Sequence, residues 1–304
     1  REFENYEDKA WAYFKTMADF DKVVEKARRT KRGDYDCLML YSGGKDSSYV
    51  LHRLVEMGLK VLSFTFDNGY ISETAFENIA RTTALLDVDH IVLDSEAMKE
   101  IFVESLWSDY NVCNGCFKAV NTFGTMLAHK HDINLVVSGL TRGQIFDIKL
   151  HGLFKLGVFD EETIEERLQL FRKNYHSMSH RTSRLIGVEI SDEMLENTHF
   201  ADYFRYDNAS TADIFAYLEQ KDKDWLRPAD TGASSSNCII NDVGIYVHLK
   251  DKGCHFYGPQ LSWDCRFGTI TREEGIEEIT GFKVDYPKTR QVLKEIGYYD
   301  AFTS

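Results

Sequence analysis

The feature that most constrains this chain is a short string, Ser42-Gly-Gly-Lys-Asp-Ser-Ser48, set between two apolar patterns. Before it, Cys37-Leu-Met-Leu-Tyr41 reads as a buried strand; after it, Val50, Leu51, Leu54 and Val55 recur at helical spacing. A strand that stops, turns on two glycines and enters a helix builds an anion site. Gly43 and Gly44 let the backbone approach the anion, and the first helical N–H groups point at it without internal partners. Ser42, Ser47 and Ser48 add hydroxyls, and Lys45 adds charge. The spacing is not the Gly-x-x-x-x-Gly-Lys-Ser/Thr of a Walker A loop.

Around this string, strand and helix patterns alternate. Strand-like runs are Cys37–Tyr41, Val61–Phe66, Ile91–Leu93 and Leu135–Ser138, with helical patterns near 47–57, 72–86, 97–107 and 117–131. That order predicts an α/β fold, a doubly wound parallel sheet with helices on both faces. Ligands of such sheets sit beyond the carboxyl ends of the strands, where the glycine turn, Asp67-Asn-Gly69 and Ser138-Gly-Leu-Thr-Arg142 all fall. Residues 6–30 read as one amphipathic N-terminal helix. The stretch from about 145 to 200 reads as a charged helical insertion, a lid or a dimer contact. Ser210 is set to cap a helix over 211–219; residues 239–270 read as short strands or loops; a last helix starts near Thr271 with Glu273 and Glu274 in its first turn.

The 304 residues suffice for a full core, and their composition is that of a soluble globular protein. No apolar run approaches the roughly 20 residues of a membrane span. The polar start carries no signal-peptide pattern, and its Arg1 in place of Met suggests a piece of a longer polypeptide. A formal charge of −13 weighs against a nucleic-acid substrate; the run Arg28–Arg32 reads as a solvated helix end. Six cysteines without a secretion signal read as reduced thiols, which predicts a cytoplasmic protein. A homodimer is the default among oligomers.

In its strand–turn–helix context, Ser42-Gly-Gly-Lys-Asp-Ser resembles the PP-loop of the N-type ATP pyrophosphatases, the adenine nucleotide alpha hydrolases of the HUP-like fold. The resemblance covers 35–145 well and 200–240 moderately. It implies ATP cleavage between the α and β phosphates, with a substrate carbonyl or carboxyl oxygen attacking the α-phosphorus. It also implies ATP contacts at Tyr41, Ser42, Gly43, Gly44, Lys45, Asp46, Ser47, Ser48, Phe66, Asp67 and Gly139. Lys45 would neutralise phosphate charge, Asp46 would hold Mg²⁺ or order the loop, and Arg142 would clamp a phosphate or a substrate carboxylate. The implied division is an N-terminal helical segment (1–34), a nucleotide-binding domain (35–145), the insertion (146–200) and a substrate- and cysteine-bearing C-terminal region (201–304).

Cys113-Asn-Gly-Cys116 and the distant Cys238 resemble the cysteine arrangement of the 2-thiocytidine synthetase-type thiolases, in which three cysteines hold an iron–sulfur cluster. Three thiolates with an open fourth position suit a [4Fe-4S] cluster or a Zn²⁺ ion, and plain thiols or a persulfide relay are the alternatives. The rim string Ser138–Gln144 departs from the Gly-His-Asn-x-Asp-Asp type of those thiolases, which favours a small molecule or a carrier-protein-bound acyl group over RNA. The expected function is adenylylation followed by sulfur transfer at Cys113, Cys116 and Cys238. One alternative is an amidotransferase or amide ligase fed by an ammonia or amine donor, since the sugar amidotransferases also carry a Cys-x-x-Cys after the loop. Another is a nucleotide-binding regulator without turnover. Weaker candidates are Cys254, His255 and Cys265 around Trp263-Asp264, and the polar Asp230, Asn237 and Asn241. Tyr203, Phe204 and Tyr206 read as core or pocket wall, and His129 and His131 as a helix end.

Overall fold

The structure is a computed structural model, described over residues 6–232 and 234–298. Five strands, β1 (Cys37–Leu40), β2 (Val61–Asp67), β3 (Asp89–Asp94), β4 (Leu135–Ser138) and β5 (His199–Asp202), form one parallel sheet in the order β3-β2-β1-β4-β5. Strand order reverses between β1 and β4, so the switch point opens at the glycine turn that follows β1. Side chains alternate across the sheet as strand geometry requires. Leu38 and Val136 face one core cluster, while Cys37, Met39, Leu135 and Val137 face another.

The first three helices are α1 (Glu7–Tyr13), α2 (Met17–Thr30) and α3 (Lys45–Glu56). The single N-terminal helix expected over 6–30 is therefore broken. Phe14 is extended, and Asp19 reaches back to accept the N–H and hydroxyl of Thr16, which starts a new helix. Next come α4 (Glu73–Leu85), α5 (Met98–Asp109) and α6 (Cys113–Lys130); α6 starts four residues before the sequence pattern shows it. Its first turn holds Asn114 and Gly115, which carry no apolar signal.

The stretch from 142 to 196 is mainly helical: α7 (Arg142–Ile145), a π-helical turn (Phe146–Leu150), α8 (His151–Lys155), α9 (Glu161–His176), α10 (Arg181–Ile186) and α11 (Asp192–Glu196). It builds a third core cluster, where Phe146 and Phe154 meet Tyr13 and Phe14 from the N-terminus and Trp263 and Phe267 from the C-terminal region. After β5 and α12 (Thr211–Lys221), the described residues between Asp222 and Ile240 form no helix or strand and pair with the sheet side through the Ile71–Cys238 bridge. Four more helices follow: α13 (Asn241–Lys252), α14 (Gly258–Arg266), α15 (Arg272–Thr280) and α16 (Tyr286–Ile296). The short strands or loops expected over 239–270 are helices instead. Their glycines sit at helix ends or close contacts: Gly253 is a left-handed cap, and an added Cβ on Gly244 would crowd Val112 at 3.0 Å. No helix among the described residues is long and apolar enough to cross a membrane.

Candidate active site

The turn after β1 is shaped by its two glycines. Gly43 takes φ +73°, and a Cβ there would lie 2.5 Å from the Ala75 carbonyl oxygen. Gly44 caps α3, and a Cβ on it would lie 2.7 Å from Ser236 Oγ. Ser42 and Ser47 hydroxyls pair at 3.0 Å, and Ser47 Oγ also donates to the Gly44 carbonyl at 3.1 Å. From outside, Trp225 Nε1 donates to the Gly43 carbonyl at 3.2 Å. Lys45 Nζ contacts both oxygens of Asp46, at 2.7 and 2.8 Å, so the loop's cation is internally neutralised.

Not every expected nucleotide residue faces the rim. Tyr41 and Ser48 are buried beneath the turn, their hydroxyls 3.2 Å apart, and the Tyr41 carbonyl accepts from Thr65 Oγ1 at 2.6 Å. Phe66 stacks on Phe123 in the core, with centroids 5.1 Å apart. Asp67 ends β2 and accepts from the Gly69 N–H at 2.8 Å, forming an Asx turn. Gly139 holds β4 close to α3, since a Cβ there would sit 3.2 Å from Ser47 N.

Arg142 is 3 % exposed and makes no ion pair among the described residues. Its Nε donates to the Phe204 carbonyl at 3.0 Å, and its guanidinium lies 4.6 Å over the Phe14 ring and 5.4 Å over that of Trp11. Burial pulls its pKa down to about 10. It lines a cavity of about 220 Å³ together with Lys45, Asp46, Tyr257, Asp264 and Glu278. Asp264 fastens α14 to the rim: it accepts from the Gly143 N–H at 2.7 Å, Thr141 Oγ1 at 3.0 Å and Thr269 Oγ1 at 3.1 Å. Burial raises this carboxyl to about 6.

The three family-type cysteines gather beside this cavity. Cys113 and Cys116 lie in the first turn of α6, and Cys238 bridges to Ile71 in the segment that crosses the rim. Asn68 Nδ2 points at two of the sulfurs, 3.4 Å from Cys116 and 3.5 Å from Cys238. Cys113 Sγ lies 3.5 Å from Asn241 Oδ1 and 3.7 Å from the Tyr257 hydroxyl, which itself donates to Asn241 at 2.7 Å. Gly115 lets α6 approach α5, because a Cβ there would meet Ser105 Oγ at 2.4 Å. Burial, and then the neighbouring Cys238, push the Cys113 thiol up to about 12; burial also raises Cys116 and Cys238. Among the described residues no three His, Cys, Asp or Glu side chains are disposed to hold a metal ion. The trio is a set of soft donors held by the side chains of Asn68, Asn241 and Tyr257.

The remaining candidates separate. Asn241 joins the thiols, Asp230 accepts from Ser72 Oγ at 2.7 Å, and the Asn237 carbonyl accepts from Ser72 N at 2.9 Å. Cys254 is exposed, Cys265 donates to the Thr271 carbonyl at 3.4 Å, and Trp263 stacks on Phe146 at 3.6 Å. Tyr203, Phe204 and Tyr206 fill the core. The residues missed from sequence are Asn68, Tyr257, Trp225 and Ser236. Asn68 lies inside the rim string Asp67–Gly69, and Trp225 and Ser236 lie in the proline- and serine-containing stretch that leads to Cys238, so their positions held a signal; Tyr257 belongs to a segment without one.

Residues 36–139 match the family profile described as "Queuosine biosynthesis protein QueC". A 7-cyano-7-deazaguanine synthase 2 of Colwellia psychrerythraea is 28 % identical over 119 residues, 38 % of this chain and 53 % of that protein. The chain therefore spans about half the length of that relative. The uncharacterized protein MJ1599 of Methanocaldococcus jannaschii is 27 % identical over 292 residues, 92 % of this chain and 89 % of that protein. Among solved structures, the U34-tRNA thiolase NcsA from Methanococcus maripaludis, with its [4Fe-4S] cluster, aligns over 93 % of this chain and 89 % of its own, at 12 % identity and TM-score 0.43.

Proposed function

We propose that this chain, a member of the N-type ATP pyrophosphatase superfamily, uses ATP to adenylylate a carbonyl or carboxyl oxygen of a small or carrier-bound acceptor. The observation that carries the reading is the shared cavity: Lys45 and Asp46, the first residues of α3 where the glycine turn ends, line it together with Arg142, which makes no ion pair among the described residues. The ATP phosphates lie along residues 42–47, with the N–H groups of the α3 terminus as fixed donors to the leaving pyrophosphate. The acceptor occupies the cavity, and its anionic group meets Arg142, a fork suited to a carboxylate. Its oxygen attacks the α-phosphorus, the bond to the β-phosphate oxygen breaks, and pyrophosphate leaves. Asp46 would hold Mg²⁺ once Lys45 turns to the phosphates, and the ion would neutralise charge on the leaving group; one carboxylate with phosphate oxygens is an ordinary Mg²⁺ site.

The second half-reaction in this reading is sulfur transfer at the thiols themselves, Cys113, Cys116 and Cys238, which share the neighbours Asn68, Asn241 and Tyr257 at the rim. A persulfide on one cysteine, charged by an external sulfur donor, attacks the activated carbon through its terminal sulfur, and AMP leaves. A neighbouring thiol then breaks the persulfide S–S bond, releasing the thiolated product and leaving a cysteine–cysteine disulfide for an external reductant. The grouping of Cys116 and Cys238 about Asn68 supports this reading. A second reading keeps the activation and gives the displacement to ammonia or an amine. It is favoured by the raised thiol pKa values, which leave little thiolate at neutral pH.

The test is incubation with ATP, Mg²⁺ and a panel of carboxylic acids, amides and carrier-bound acyl groups. AMP and pyrophosphate in place of ADP and phosphate support the activation. Neither pair appearing with any acceptor returns the protein to the class of nucleotide-binding regulators. Oxygen-18 in the acceptor carboxylate should appear in AMP, and a new carbon–sulfur or carbon–nitrogen bond in the product separates the two second half-reactions.

A further inference from the structure

The segment between α12 and α13 lies across the glycine turn and carries one of the three thiols. Its entry is tied to the loop by Trp225 Nε1 on the Gly43 carbonyl, and by Leu226, whose N–H and carbonyl both bond the Asn78 side chain. Its exit is tied to the chain after β2: Ser72 N donates to the Asn237 carbonyl at 2.9 Å, and Ile239 N to the Tyr70 carbonyl at 2.8 Å. Between these ties, Ser236 Oγ accepts from the backbone N–H of Lys45 at 3.2 Å. That N–H is the first of α3, one of those a phosphate at this turn would take. Ser235 Oγ in turn accepts from the N–H groups of Asn237 and Cys238, at 3.3 and 2.9 Å, so the local turn links Ser236 rigidly to the cysteine two residues on.

We propose that Ser236 occupies a nucleotide-phosphate position on the glycine turn, so that nucleotide binding displaces it and moves Cys238 out of its bridge with Ile71. A neutral hydroxyl is a weak acceptor beside a phosphate oxygen, whose charge strengthens the bond to the same N–H. The exchange is therefore favoured whenever nucleotide enters. At its exit the segment is held by the Ile71–Cys238 bridge, by the Ser72 and Ile239 backbone bonds and by Asn68 on the Cys238 sulfur; the Ser235 turn passes the displacement of Ser236 to these contacts, so the cysteine moves with the serine. The thiol would then become accessible when the nucleotide is in place, which orders the two half-reactions. This inference rests on the nucleotide reading above.

The experiment is timed alkylation with iodoacetamide at pH 8, read by mass spectrometry at each cysteine, with and without a non-hydrolysable ATP analogue whose binding is measured separately by calorimetry. Exposed Cys254 serves as the reference thiol and buried Cys37 reports unfolding. Saturating analogue should speed Cys238 labelling at least fivefold relative to Cys254. In Ser236→Ala, Cys238 should label fast without analogue, the analogue should add less than twofold, and its affinity should rise roughly fivefold as a competing hydrogen bond is lost. Bound analogue with an unchanged or slower Cys238 rate overturns the coupling and leaves the nucleotide reading standing. Absence of analogue binding overturns both. A Ser236→Ala protein in which Cys37 also labels is replaced by Ser236→Gly, read against the same two outcomes.

Discussion

The glycine turn and the thiol group sit on one rim, yet they are built in opposite ways. The turn is seven contiguous residues whose shape follows from local backbone conformation: positive φ at Gly43 and a helix that starts at Lys45. The thiol group is assembled from four places: the end of β2, the first turn of α6, the segment before α13 and the segment before α14. A contiguous site is held by the helix and strand that flank it. A convergent site is held only as well as the packing between its elements, so small changes far from the sulfurs should disturb it.

The largest effect is expected at the turn. Gly43→Ala forces a side chain into the left-handed region and against the Ala75 carbonyl. Nucleotide affinity should fall more than a hundredfold by calorimetry, while Cys113, Cys116 and Cys238 keep their relative alkylation rates. If the thiols change as strongly as the turn, the two sites are not separately built. Lys45→Met should next lower pyrophosphate release by about two to three orders of magnitude, the usual loss for a donor to developing charge. Equal release in mutant and wild type would take Lys45 out of the chemistry.

The convergent site should respond to its supports. Gly115→Ala drives a Cβ into Ser105 and Ile101, so about 1–3 kcal/mol of stability should be lost on overpacking. Thiol reactivity should rise with nucleotide affinity unchanged within a factor of two. Cys116→Ser should abolish any thiolated product yet preserve pyrophosphate release; loss of both would tie the thiols to activation itself.

The smallest effect concerns pH. Asp264, raised to about 6 by burial, binds its proton more tightly in the folded chain than in the unfolded one, where a carboxyl titrates near 3.8. Its contribution is therefore full below the unfolded value and is lost as pH rises through about 6. A difference near two pH units corresponds to about 3 kcal/mol as an upper bound. Because buried histidines such as His90 and His176, lowered to about 4, add stability as pH rises over the same range, the test is a difference: by urea unfolding, the stability of the wild type relative to Asp264→Asn should fall from pH 4 to 6. An unchanged difference would locate the titration elsewhere.

Legibility followed the same division. The parallel sheet, its first four strands and the glycine turn could be read directly, because alternation, helical periodicity and a glycine pair are local signals. Tyr41 and Ser48 bury their side chains beneath the turn and Phe66 stacks on Phe123, which leaves any nucleotide contact there to main-chain atoms, since a strand sends successive side chains to opposite faces and a helix turns every residue by about 100°. The helices over 241–266 were hidden because their apolar residues contact several elements and leave no clean stripe.

The chain by itself determined the α/β class, the glycine turn at a strand's carboxyl end and the three cysteines as a set worth attention. Tertiary structure alone decided that Asn68 and Tyr257 meet those cysteines, that Asp264 staples a distant helix to the rim, and that Ser236 rests on Lys45. The reason is range. Backbone conformation is fixed by neighbours in sequence, whereas a contact between residues 45 and 236 exists only after the whole sheet and its covering segments have packed.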